Sequence, residues 1–277
     1  VLALPALAAI RVAHPGAHIT LLTTKPYAAF LAACPWVDTV ETDAKPSPWN
    51  LPGLLTLRRQ LAGFDMVYDL QTSSRSSTYF RLAGRPRWSG IAKGCAFPDT
   101  DPERNHRHTR ERLEGQLRDA GIAPLPVPDL SWLTADISHF DLPHSYSVLV
   151  PGAAAHRPEK CWPAAGFAAL AEALAQPMVI VGGPEQTFAI PGAIDLTGRT
   201  TLLELAAVLR GASRVVGNDT GPMHLAAALG IPNLVLFSAA SDPALTAPRY
   251  PDGAWAAVLR VPSLQNLPVA QVLQALP

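Results

Sequence analysis

Val215–Phe237 reads VVGNDTGPMHLAAALGIPNLVLF: a β-branched run, a polar turn containing glycine, a short apolar stretch at helical spacing and a second apolar run. Strand, turn, helix and strand in that order form the repeating unit of a parallel sheet, whose strands need a crossover helix between them. The turn after the first strand then lies at the carboxyl edge of the sheet, where such folds hold ligands. Gly217 and Gly221 are expected to supply backbone conformations closed to other residues and to let a ligand approach the main chain. Thr220 or Asp219 can cap the helix, Pro222 fits its first turn, and Gly230 with Pro232 ends it. Unpaired amides and the positive end of the helix dipole favour an anion by about 0.3–1 kcal/mol per charge, and up to about 2 when partly buried. A diphosphate fits such a turn. A plain, well-capped βαβ turn has the same spacing, and His224, one turn into the helix, suits a structural role as well as a functional one.

The rest of the chain extends this pattern. Apolar runs at Ser147–Val150, Met178–Val181, Arg214–Val216 and Asn233–Phe237 alternate with helical stretches, the mark of a doubly wound α/β domain. Upstream, Val1–Ala13 reads as a helix, His18–Thr23 and Val37–Val40 as strands, Leu54–Ala62 as a helix and Met66–Leu70 as a buried strand. Ser73–Leu82 and the strongly charged Arg104–Ala120 read as further helices. The Pro-rich, weakly patterned stretch from Pro124 to about Tyr146 is the natural linker. Two domains follow, 1–140 and 141–277, each long enough to bury a core.

Composition narrows the classes. Of 277 residues, 48% are hydrophobic and 16% charged, with a net charge of zero, so bulk-charge binding of nucleic acid is unsupported. Cys34, Cys95 and Cys161 are unclustered and read as free thiols in a reducing, cytoplasmic setting, without a disulfide framework or zinc site. No apolar run approaches the roughly 20 residues needed to span a bilayer, so a membrane role is peripheral. Asp99-Thr100-Asp101 reads as solvated acid between two prolines, and His106 and His108 lack the company of other metal ligands. Trp36, Trp49, Trp88 and Trp132 are assigned to packing.

GNDTGPMHLAAALGIP (Gly217–Pro232) resembles the D-T-G-x-x-H signature of glycosyltransferase family 9, which contains the bacterial ADP-heptose:lipopolysaccharide heptosyltransferases. VLVPGAAAHRPEKCWP (Val148–Pro163) is similar to that family's segment ending in K-x-W-P, and VIVGGPEQ (Val179–Gln186) to its g-g-x-x-E strand end. LTGRTTLLELAAVLRGA (Leu196–Ala212) and FDMVYDLQTSSRSS (Phe64–Ser77) resemble further family landmarks, in family order over nearly the whole chain. The resemblance implies an α/β fold of two Rossmann-like domains, of glycosyltransferase-B type. The first would be the acceptor side and incomplete at its start; the second would bind the donor. It implies an inverting, metal-independent transfer of heptose or a related sugar from an ADP-sugar to a lipid-linked lipopolysaccharide-core acceptor, with no cofactor, at the cytoplasmic face of the inner membrane.

The same resemblance assigns residues. Lys160 and Asp219 would act on the reacting sugar and diphosphate. Gly217, Asn218, Thr220, Gly221 and His224 would surround the donor, Glu185 would accept its ribose hydroxyls, and the turn at Thr200 and Thr201 would read adenine. Arg75 would meet an anionic acceptor. Each has a plainer alternative: a solvated loop lysine for Lys160, a helix-start carboxylate for Glu185, a surface ion pair for Arg75. The family's catalytic base belongs to a g-x-x-G-D loop expected upstream of Val1, so no general base is assigned. LFSAASDP departs from the family's l-f-G-p-t-D-P. Two other classes share the architecture: a nucleotide-sugar 2-epimerase-like isomerase and, if the chain truly starts at Val1, a non-catalytic nucleotide-binding remnant.

Overall fold

A computed structural model describes residues 1–152, 157–184, 188 and 190–277. The chain divides into two compact units, Leu2–Pro128 and Asp129–Pro277. The division falls within the Pro-rich stretch read as a linker, ahead of the expected 140/141 boundary.

The first unit runs α1 (Leu4–Ala13), β1 (Thr20–Thr23), α2 (Lys25–Ala32), β2 (Thr39–Thr42), α3 (Leu51–Gln60), β3 (Val67–Tyr68), α4 (Ser74–Leu82), β4 (Trp88–Gly90), β5 (Phe97–Pro98) and α5 (Thr109–Asp119). β1 pairs with β2, and β3, β4 and β5 form a second sheet in that order, all parallel. Ala6, Ala9 and Ile10 of α1 pack with Leu113 and Leu117 of α5 to make one core, and Phe80, Trp88, Ala92 and Cys95 make another.

Several expectations are corrected here. Arg104–Ala120 is not one helix: a 3₁₀ turn at Arg104–His106 precedes α5. The break is His108, extended and buried, whose imidazole Nδ1 accepts from the Arg110 N–H while Glu111 accepts from the His108 N–H. It is an N-cap, which suits an acceptor side chain with a carboxylate three residues on. Asp99 is not solvated: its side chain is buried against the Arg104 guanidinium, which also donates to the Thr72 hydroxyl. β3 is shorter and only half-buried, because Asp69 turns the chain by accepting from the Gln71 and Thr72 N–H groups. Trp88 is buried, but Trp49 is 92% exposed and packs no core.

The second unit runs β6 (Ser147–Val150), α6 (Ala164–Leu174), β7 (Met178–Ile180), β8 (Ile194–Asp195), α7 (Leu202–Arg210), β9 (Arg214–Asn218), α8 (Gly221–Ala228), β10 (Asn233–Phe237), α9 (Pro243–Thr246), β11 (Ala257–Arg260) and α10 (Val269–Gln274). Its six strands form one parallel sheet in the order β11-β10-β9-β6-β7-β8. β6 and β10 are buried throughout, as strands covered on both faces must be. The core lies between sheet and helices and includes Leu149, Trp162, Phe167, Leu170, Ile180, Val216 and Leu236. The chain builds from β6 out to β8, then crosses back to β9 and builds the other way. The reversal between the adjacent strands β6 and β9 is a topological switch point, the place at which open sheets of this kind form a ligand crevice. The fold is thus α/β with parallel sheets, as expected.

Candidate functional site

Register brings the loops together. Val150, the last residue of β6, stands opposite Gly217 of β9, so the chain segments after both strands leave the sheet at the same edge. An added Cβ at Gly217 would lie 2.5 Å from Val150 Cβ and 2.8 Å from the Met223 sulfur. Close packing of sheet on α8 is therefore what requires glycine there. Neither Gly217 nor Gly221 has a positive φ, which corrects the expectation of unusual backbone conformations. At Gly221 no described residue lies within 4 Å of a built Cβ, so among the described residues the start of α8 is open.

Asn218 follows Gly217 and is completely buried. Its Oδ1 accepts from the Trp162 N–H at 3.0 Å and its Nδ2 donates to the Pro151 carbonyl at 2.7 Å. One amide side chain thus ties the β9 end to both ends of the segment that follows β6. Trp162 roots that segment further: its indole N–H donates to the Leu267 carbonyl at 2.9 Å, and its ring meets Phe167 edge-on at 4.8 Å. Gly166 lies against the ring, where a Cβ would fall 2.4 Å from it. The tryptophan beside the lysine in KCWP is an anchor, and it fixes where the preceding 3₁₀ turn, Pro158–Lys160, carries Lys160.

The consequence is an ion pair across the crevice. Lys160 Nζ donates to Asp219 Oδ2 at 2.7 Å, with the two side chains 19% and 8% exposed. Thr220 stands at the N-cap of α8 but makes no side-chain cap; its hydroxyl donates instead to the Asn218 carbonyl. The α8 start is therefore left without the hydroxyl that ordinarily covers it. His224 is half-buried in the first turn. An ammonium, a carboxylate and an open helix start converge at the switch point, a combination suited to a ligand bearing both anionic and hydroxyl groups.

The other expected residues are placed as follows. Thr201 is the N-cap of α7: its hydroxyl accepts from the Glu204 N–H, and Glu204 accepts from its N–H at 2.7 Å. Those bonds hold the Glu204 carboxyl below the usual glutamate range, the Thr201 N–H contributing most. Thr200 precedes it, half-buried. Glu185 lies outside the described residues. Arg75 is exposed in the first turn of α4, in the other unit. Among the described residues no three His, Cys, Asp or Glu side chains gather as a metal group. Sequence reading missed Pro151, Leu267 and the anchoring role of Trp162 and Asn218. The one available signal was an amide residue at the end of an otherwise apolar strand.

The fold and crevice define a class, the doubly wound α/β proteins that take their ligand at the carboxyl edge of a parallel sheet. Residues 128–268 match the model of glycosyltransferase family 9 (heptosyltransferase), and the chain belongs to that family. It is 30% identical over 131 residues to lipopolysaccharide heptosyltransferase 3 of Escherichia coli, a match covering 42% of this chain and 38% of that protein. The aligned part thus spans well under half of that relative. Among solved structures, the family 9 glycosyltransferase from Veillonella parvula superposes with a TM-score of 0.79 at 23% identity, covering 99% of this chain and 91% of the other. The E. coli heptosyltransferase WaaC with ADP-2-deoxy-2-fluoro heptose gives 0.75 at 23% identity, covering 99% and 93%.

Proposed function

We propose that this chain transfers heptose, or a related sugar, from an ADP-sugar to a lipopolysaccharide-core acceptor, with inversion at the anomeric carbon and without a metal. The observation that carries this reading is the Lys160–Asp219 pair beside the open start of α8. In such a transfer the bond between anomeric carbon and diphosphate oxygen breaks, ADP departs with the electron pair, and an acceptor oxygen bonds to the opposite face of the sugar while its proton passes to solvent water. The ammonium of Lys160 and the amides at Thr220 and Gly221 neutralise the departing diphosphate, each charged hydrogen bond being worth about 1.5–3 kcal/mol. Asp219, already oriented by Lys160, accepts from a sugar hydroxyl. Asn218 and Gly217 position the turn by packing and hydrogen bonding, and His224 supports it from the helix.

The Thr201 N–H is engaged with Glu204, so in this proposal adenine is read by main-chain groups around Thr200. Glu185 is assigned to the ribose hydroxyls, and Arg75 to an anionic group of the acceptor. The acceptor is lipid-linked, which places the reaction at the cytoplasmic face of the inner membrane. WaaC, in the same fold, was solved with an ADP-heptose analogue, which supports the donor class.

The test is ADP release from ADP-heptose in the presence of a deep-core acceptor, with chelator added. Steady ADP release with an inverted glycosidic product is expected, and Lys160→Ala should lower kcat/KM at least about tenfold, one lost charged contact. Epimerised sugar without acceptor, or unchanged kinetics in the variant, would overturn the reading.

A further inference from the structure

The segment Ala44–Phe64 holds Lys45, Arg58 and Arg59 and not one acidic residue. Within it a short turn, closed by the Asn50 N–H donating to the Ser47 carbonyl, carries Pro48 and Trp49. The Trp49 N–H is itself bonded to the Ser47 hydroxyl, and Asn50 then caps α3 by accepting from the Gly53 N–H. Four ordered positions thus hold an indole 92% exposed. On α3, Leu51 and Leu55 are one helical turn apart and 68% and 55% exposed, while Leu57, on the opposite side, is buried. At 100° per residue, Arg58 and Arg59 flank the line through Leu51 and Leu55, one on each side. Single exposed apolar residues are ordinary, whereas a tryptophan and two leucines exposed together between positions 49 and 55 are not.

We propose that Trp49, Leu51 and Leu55 form a docking face for a bilayer bearing anionic headgroups, with Lys45, Arg58 and Arg59 as its electrostatic rim. An indole suits the headgroup level of a membrane, and leucines beside it suit the acyl boundary. Three basic side chains around the apolar face, with Asp43 held by the Lys45 N–H at its edge, are drawn to an anionic leaflet within a Debye length. A protein partner would need complementary acid over this rim and an apolar pocket; the mixture of deep apolar and peripheral basic groups matches the layered chemistry of a bilayer directly. This face gives a location to the membrane contact proposed above, and it rests on no part of the donor-site reading.

The experiment is sedimentation of the whole chain with vesicles of phosphatidylethanolamine and phosphatidylglycerol, against phosphatidylcholine vesicles, without any sugar donor. Binding to the anionic vesicles alone is expected, weakened at high salt, with tryptophan fluorescence quenched by brominated acyl chains. Trp49→Ser/Leu51→Ser/Leu55→Ser, changing only exposed side chains, should reduce partitioning at least about tenfold while circular dichroism and ADP binding stay as in the unchanged chain. Arg58→Gln/Arg59→Gln should reduce both partitioning and its salt dependence. No vesicle binding, or binding indifferent to the apolar triple change, would overturn the proposal. So would a dimer in solution that the triple change dissolves in place of vesicle binding. Because donor transfer is absent from these measurements, failure here leaves the proposed reaction standing, and the converse also holds.

Discussion

Asn218 shows how much of the candidate site depends on one side chain that has no exposure to a ligand. Its amide bridges the Trp162 N–H and the Pro151 carbonyl, and Lys160 stands two residues before Trp162. Asn218→Ala would leave a buried donor and a buried acceptor unsatisfied, a loss of about 1–3 kcal/mol. Asn218→Asp is expected to be worse, because a carboxylate oxygen would replace the amine that faces Pro151. Urea unfolding and ADP titration together measure this: stability should fall, and ADP affinity should fall by about tenfold, the equivalent of roughly 1.4 kcal/mol, as Lys160 loses its setting. An Asn218→Ala protein with unchanged stability and affinity would show that the staple matters to neither. At this scale the identities Lys160 and Asp219 were legible from motif. Their meeting across 59 positions was not, since it depends on strand order, and the burial of Asn218 depends on neighbours that come from distant segments.

Among the elements, those that are apolar and buried on both faces were plainest to read: β6 and β10 occupy Ser147–Val150 and Asn233–Phe237, as the sequence predicts. β4, β5, β8 and β11 were not read, because runs of two to four residues become strands only through the neighbours they pair with. α5 was read too long because a histidine seldom announces itself as a cap. The end of β3 offers a test. Asp69 is 6% exposed, and burial pushes its carboxyl above the ordinary value of 3.8, opposed by the Ser76 hydroxyl and the Thr72 and Gln71 N–H groups. A carboxyl raised in the folded state binds its proton more tightly there. The associated stability is therefore complete below 3.8 and is lost as pH rises through the higher folded value. Asp69→Asn keeps an oxygen for the two N–H groups and removes the charge. Its melting temperature should exceed that of the unchanged chain at neutral pH, and the gap should narrow as pH falls toward 3.8. A gap that widens on acidification would mean that the carboxylate is net stabilising where it sits.

For the molecule as a whole, the second unit was the more legible because its strands β6, β7, β9 and β10 are buried along nearly their whole length. β1, β2 and β3 of the first unit are short and mostly half-buried, so their period-two signal is faint. The same contrast bears on autonomy. Among the described residues, Asp129–Pro277 contains a six-stranded parallel sheet, its own core, and the Lys160–Asp219 pair with the Asn218 bonds that set it. A chain beginning at Asp129 should therefore fold by itself in one cooperative transition and keep the ADP site. Ligand that binds only the folded form adds stability by mass action, about 2.7 kcal/mol at a hundredfold excess over Kd. Thermal unfolding of this half with increasing ADP should show a rising midpoint, and Lys160→Ala in the same half should flatten that rise without lowering the midpoint of the ligand-free protein by more than a few degrees. If the half unfolds without cooperativity, the site needs more of the chain than the sheet that carries it. If it folds but ADP leaves the midpoint in place, the crevice at the switch point is not where the nucleotide binds.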